Sequence, residues 1–200
     1  GYEEKWVLVS YEANGKTEQG YVWGGMLAKF ALELPSGGLV LAGIIKADAE
    51  SFKKTVELRW VLDQKVISTL NFEAVEMADN RAFGYSMGGE YLGKKGFGEL
   101  VFFQVAFVYE ACDYPNGKVL IAADLKNKKL YYALTGVTAT GEGGGVSVDL
   151  TFPSDSGGKP NQIRLLRSFY TRADPETGQG EKTEETVEIY AFNGQEFKKQ

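Results

Sequence analysis

Phe97 to Cys112, FGELVFFQVAFVYEAC, is the most apolar stretch of the chain, and its conformation decides the fold. Leu100, Phe103, Phe107, Val108 and Ala111 would give a helix an apolar face broken only by Gln104, so spacing alone leaves helix and strand open. Composition separates them. The valines and closely spaced aromatic residues lose χ1 freedom on a helix and suit a pleated surface. Read as a strand, the odd positions Val101, Phe103, Val105 and Phe107 form a core face. The even positions mix Leu100, Phe102, Ala106 and Val108 with Gln104 and Glu110, a face that is partly covered. Sixteen extended residues would reach roughly 50 Å, beyond an ordinary strand, so a bend or bulge is predicted near Gln104.

The rest of the chain supports the same class. Its 200 residues are 44% hydrophobic, with 25 Gly, 11 Tyr and 12 Phe, a composition that suits strands joined by tight turns. No Pro/Ser-rich or low-complexity linker divides it, so a single domain over residues 1–200 is expected. The fold class that follows is all-β: an antiparallel meander of about 12 strands, rich in hairpins, closed as a barrel or folded as a two-sheet sandwich.

Three Asn-Gly pairs mark hairpins, because a type I′ turn needs positive φ at both central residues. Asn14-Gly15 sets Trp6 opposite Trp23, Val7 opposite Val22 and Leu8 opposite Tyr21. Asn116-Gly117 would return a strand beside the central one, with Cys112 opposite Ile121 and Val108 opposite Leu125. Asn193-Gly194 would place Tyr190 opposite Phe197. Alternation also predicts a strand over Met26 to Leu34 that turns at Pro35 to Gly38, setting Leu34 beside Leu39, Leu32 beside Leu41 and Ala28 beside Ile45. Ala47 to Lys54 reads as a short connector with helix-compatible residues. Val56 to Leu62 and Val66 to Ala74 bring their apolar sets together only across an odd loop centred on Gln64, with Leu58 beside Leu70 and Val56 beside Phe72. A turn at Lys126-Asn127 pairs Ile121 with Tyr132 and Val119 with Leu134. Gly141 to Gly145 is a flexible connector, and Ala173 to Glu185 a polar excursion.

Several chemistries are excluded by residue types. The chain has no His, which removes Ser-His-Asp triads, His-metal sites and the commonest general base. Cys112 is the only Cys and reads as a buried structural thiol. A carboxylate pair in a cleft would still permit glycoside hydrolysis, but Glu73 and Glu76 fall on opposite strand faces and Glu99 and Glu110 lie far apart along one strand. No catalytic residue is therefore assigned, no cofactor, and no metal. A net charge of −5 with scattered Lys pairs argues against nucleic acid as a partner. No apolar run reaches the roughly 20 residues of a membrane helix, and no lipid-facing band repeats along the strands.

Ser154 to Ile163, SDSGGKPNQI, distantly resembles the calcium turn of FG-GAP-type propeller repeats through Gly158, Lys159, Pro160 and Asn161. Asp155 is the only carboxylate before them, and Gly157 stands where that pattern has a ligand, so an ordinary turn is expected.

One segment fits no strand pattern. Met77 to Gly96 holds several glycines and aromatics without alternation and reads as a long loop, with Tyr85 and Tyr91 as candidate ligand-binding residues. The functional expectation is a non-enzymatic binding module of the bacterial-type cell envelope or secreted space. Its partner is an unknown ligand or protein, and the start at Gly1 is compatible with an export segment removed upstream. The alternatives are a carboxylate-dependent carbohydrate-active enzyme on a jelly-roll-like sandwich and a carrier barrel for a small apolar ligand.

Overall fold

A computed structural model of the chain describes residues 6–24, 27–35, 37–47, 53–74, 85–109, 116–141, 144–171 and 182–200. Within them the alternating patterns form fourteen strands in three antiparallel sheets, none closed into a barrel. Strands β1 (Trp6–Ala13) and β2 (Lys16–Trp23) make a two-stranded ribbon. Strands β3 (Phe30–Glu33), β4 (Leu39–Ala47), β5 (Lys54–Leu62) and β6 (Lys65–Glu73) make a four-stranded sheet in chain order. The remaining eight also follow chain order: β7 (Tyr85–Lys94), β8 (Leu100–Tyr109), β9 (Asn116–Asp124), β10 (Lys129–Gly141), β11 (Gly144–Thr151), β12 (Gln162–Thr171), β13 (Lys182–Phe192) and β14 (Phe197–Lys199). Every hydrogen-bonded neighbour is thus consecutive in sequence, which makes each sheet a meander.

Strand β8 lies between two cores. Its odd residues Val101, Phe103, Val105 and Phe107 pack with Val40, Val56, Leu58 and Trp60 of the four-stranded sheet, the sandwich arm of the expectation. Its even residues Leu100 and Phe102 belong to a second core with Leu120, Tyr131, Phe152, Ile163, Leu165 and Phe197, supplied by later parts of the same eight-stranded sheet. That sheet therefore folds back over its own face. Phe102 is the hub of the fold-back, with ring centroids 5.5 Å from Phe152 and 6.1 Å from Phe197. The two edges of the sheet, β7 and β14, do not pair with each other, so burial of aromatic rings, and no ladder closure, holds the curl.

Register is where sequence and structure part. The first ribbon is as expected: Trp6 pairs with Trp23, Val7 with Val22 and Leu8 with Tyr21. Asn14 and Gly15 both have positive φ, at 52° and 72°. Leu58 likewise pairs with Leu70 and Val56 with Phe72. The odd loop is wrong, however. Asp63 and Gln64 form a two-residue turn with φ of 48° and 62°, and a bulge after Trp60, beside Ile67, supplies the extra residue that the inner register needs.

Other registers are corrected. The regular strand before the Pro35 turn is only Phe30–Glu33, and Glu33 pairs with Leu39 and Leu32 with Val40, one residue away from the expected Leu34–Leu39 pairing. Gly37 and Gly38 both take positive φ, and a Cβ on Gly38 would lie 2.4 Å from the Val61 carbonyl oxygen, so the loop packs down on β5. The slip carries Val40 and Ala42 into the core and leaves Leu39 and Ile45 exposed. The helix-compatible connector lies largely outside the described residues.

Asn116 and Gly117 are not a turn. They pair with Thr138 and Val137 inside β9, Ile121 faces Phe103, and Leu100 faces Asp124. The reason is burial: this register sets Phe103 and Val105 against Ile121 and Val119 in the first core. Cys112 lies outside the described residues. Ile121 pairs with Tyr132 as expected, but a bulge at Ala133 moves Val119 from Leu134 to Thr135. The intervening turn has four residues, 125–128, capped by Asp124, whose Oδ1 accepts from the Lys126 and Asn127 N–H groups at 3.0 and 2.8 Å. Burial alone would raise the Asp124 carboxyl, but these bonds outweigh it and hold it below its ordinary value. At Asn193-Gly194 the loop also has four residues, because Asn193 Oδ1 accepts from the Gln195 and Glu196 N–H groups. Tyr190 consequently faces Lys199, and Phe192 faces Phe197.

Candidate functional site

The segment read as a long loop contains an edge strand. Tyr85–Lys94 pairs along β8, from Tyr85 opposite Tyr109 to Lys94 opposite Val101. The bulge predicted on the central strand near Gln104 sits across the ladder instead, at Leu92 of β7 opposite Phe102 and Phe103. Residues 77–84 of the expected loop lie outside the described residues, as does the Tyr85 side chain.

Tyr91 faces Phe103 in the ladder, and its side chain is half-exposed at 37%. Strand alternation sets Met87, Gly89 and Tyr91 on one face, and Met87 packs against the first core. Gly89 is needed there. A Cβ at that position would lie 2.6 Å from the Phe30 ring, so the glycine lets β3 close over β7. Gly88, on the other face, meets open space.

Charges along the strand are already engaged. The Gln104 amide Nε2 donates to Glu90 Oε2, and Lys94 lies 3.8 Å from Glu99. Among the described residues no backbone hydrogen bond reaches β7 from the side away from β8. Among the described residues the result is a ten-residue edge with unpaired main-chain groups, one half-exposed Tyr, and a Glu90 and a Lys94 that each have a polar partner.

Acid-base chemistry has less to work with. Glu99 is held by Lys94 and Glu73 by Lys53. Glu188 accepts from the Tyr190 hydroxyl at 2.6 Å and lies 3.1 Å from Lys199 and 3.6 Å from Arg167. The Tyr190 bond, against burial that would raise it, and then the two cations, hold the Glu188 carboxyl below its ordinary value. Burial and the Glu188 carboxylate push the Tyr190 phenol up to about 12. This network ties β12, β13 and β14 together and leaves Glu188 saturated with partners.

The described residues hold no group of three or more Asp, Glu, His or Cys side chains arranged for a metal. Asp155, the carboxylate of the calcium-like turn, is spent on that turn: Oδ2 accepts from the Phe152 N–H at 2.8 Å and its carbonyl from the Gly158 N–H at 3.0 Å. A pocket of about 100 Å³ opens where the sheet folds over, lined by Leu120, Leu134, Val148 and Leu150 with Gln104 and Lys118 at its rim. That is well below the ~300 Å³ at which small-molecule pockets begin. No helix of the described residues is long and apolar enough to cross a membrane.

The edge strand was missed in the sequence because Gly88, Gly89 and Gly93 erase alternation at the positions where it would be read. The surviving signal is that Tyr85, Met87 and Tyr91 are spaced at even intervals. Comparisons of the chain with protein-family models, with curated proteins and with solved structures find no match.

Proposed function

We propose that this protein is a non-enzymatic binding module that captures an extended segment of a partner protein as an added strand along β7. The observation that carries the reading is the unpaired edge itself. Main-chain groups of an open edge are a template for a further strand, and proteins commonly guard such edges with prolines, charges, bulges or short length. Strand β7 is ten residues long, has no Pro, its two charged side chains each have a polar partner, and its bulge at Leu92 leaves Tyr85 to Tyr91 in regular register. Main-chain pairing would supply affinity, and Tyr91 with Tyr85 would supply side-chain selectivity. Such a module fits the secreted or cell-envelope setting expected from the sequence, and the proposal carries that location with it.

The test is a displayed library of short peptides selected on the protein, followed by amide hydrogen exchange on the complex. Slowed exchange at the outward amides of β7 is expected. The Tyr85→Ala, Tyr91→Ala double variant should bind the selected peptides at least about tenfold more weakly while staying within about 1 kcal/mol of wild-type stability. Peptides that protect β6 or β14 and leave β7 exchanging freely would sink the proposal.

A further inference from the structure

A second feature lies on the other half of the eight-stranded sheet. The outward face of β11 to β13 forms an open depression of about 550 Å³, walled by the turn at 156–159. This volume lies within the ~300–1,000 Å³ usual for small-molecule sites. Two cations, Lys159 and Arg164, are among its lining side chains, and no lining side chain is a carboxylate. Neither cation has a carboxylate within ion-pairing distance among the described residues, whereas Arg167, Lys182, Lys198 and Lys199 are all paired. The two cations share one polar hollow, and at longer range Arg164 helps Lys182 hold the Glu185 carboxyl below its ordinary value.

The other lining groups are hydrogen-bonding ones. Thr151, Ser156, Gln162 and Gln200 surround the cations, with Ile189 as the apolar floor. Arg164 is placed by the ladder, between Thr151 on β11 and Ile189 on β13. Lys159 is placed by the Asp155 turn, whose tightness requires glycine at 158, where a Cβ would lie 2.0 Å from the Phe152 oxygen. Gly157 presents bare backbone to open space. The acidic side chains around it are engaged or set aside: Asp155 is spent on its own turn, the Glu185 carboxylate is taken up by Lys182 and Ser168, and Asp149 stands two residues before Thr151 on β11.

We infer that this depression binds the acid group of a hydroxyl-rich small molecule, a uronate-bearing saccharide in the first instance. Arg164 presents a planar fork matched to a carboxylate or sulfate, and Lys159 adds a point charge. The hydroxyl and amide groups of Thr151, Ser156, Gln162 and Gln200 suit sugar hydroxyls, which both donate and accept. The site is separate from β7, so its fate and that of strand capture are independent.

The test titrates the protein with digalacturonate, its methyl ester and inorganic sulfate, followed by amide chemical shifts and calorimetry. Digalacturonate should shift the amides of residues 156–164 and bind more weakly as salt rises. Arg164→Gln should weaken it about tenfold or more, the loss of a charge-assisted bidentate pair, without moving the thermal midpoint. Equal binding of the uncharged ester, or an Arg164→Gln variant that binds as wild type, would overturn the inference. Sulfate binding as tightly as the saccharide would reduce the site to a simple anion hollow and overturn the saccharide reading.

Discussion

The β1–β2 ribbon and the β8–β9 pair each carry an Asn-Gly dipeptide, and the structure treats them in opposite ways. In the ribbon, Val7, Leu8, Tyr11 and Tyr21 are exposed, so little packing competes with the turn and Asn14-Gly15 sets the register. In the β8–β9 pair, Phe102, Phe103, Phe107 and Ile121 are fully buried, and Asn116-Gly117 is drawn into a strand. A favourable turn is a preference of about 1 kcal/mol, whereas one buried aromatic side chain is worth several. Turn chemistry therefore governs where nothing is buried and yields where much is.

The largest expected effect breaks the central pair. Phe102→Ala and Phe103→Ala should each cost about 3–5 kcal/mol in urea unfolding, the range for truncating a large buried aromatic. Leu8→Ala and Tyr21→Ala in the ribbon should stay within about 0.5 kcal/mol of wild type. Ribbon variants as costly as the core ones would mean that the ribbon is packed, and the contrast would fall.

The same opposition recurs between neighbouring glycines of β7. Gly89→Ala drives a methyl group into the Phe30 ring and should cost about 1–3 kcal/mol. Gly88→Ala meets open space and should be neutral or stabilise slightly, since it also reduces the freedom of the unfolded chain. Thermal midpoints of the two variants measured side by side decide this.

A smaller effect separates the two Asn-Gly sites directly. Gly15→Ala puts a side chain at φ +72° and should loosen the ribbon by about 1 kcal/mol, visible as faster amide exchange in β1 and β2 with global stability unchanged. Asn116→Thr, at a strand position, should change neither register nor exchange by more than about 0.5 kcal/mol. A disturbed β9–β10 ladder in that variant would show that the asparagine matters there after all.

The smallest effect concerns the joint between β12, β13 and β14, which rests on charge. Because the Glu188 carboxyl is held low, its contribution is complete above the ordinary carboxylate range and is lost as pH falls through it. The Tyr190 phenol is pushed up to about 12, so its contribution is complete below pH about 10 and is lost as pH rises from there towards 12. Thermal midpoints of Glu188→Gln and Tyr190→Phe subtracted from wild type should therefore converge at the acid and alkaline ends respectively. A difference that stays constant with pH would show that the network contributes only by packing.

How much could be read in advance differs from element to element. The all-β class, the meander, the β1–β2 register and the Leu58–Leu70 pairing were legible from period-two alternation and one turn. At β7 the glycines hide the strand, and Tyr91 was singled out for the wrong local structure. The Asp63-Gln64 turn carries no glycine, so nothing marked it, and the bulge beside Ile67 that restores register has no sequence signal of its own. The Lys159–Arg164 hollow escaped because it joins a turn to a strand face, and its residues are scattered when read along the chain.

Alternation by itself determines which residues share a strand face, because the pleat has a period of two whatever the strand pairs with. It does not determine the partner's offset, since a one-residue slip exchanges faces at a cost set wholly by what lies above and below the sheet. Only the tertiary structure decides that offset. Here it set β3 one residue from its expected register, seated Asn116-Gly117 in a strand, and folded the long sheet over Phe102 so that β8 is buried from both sides.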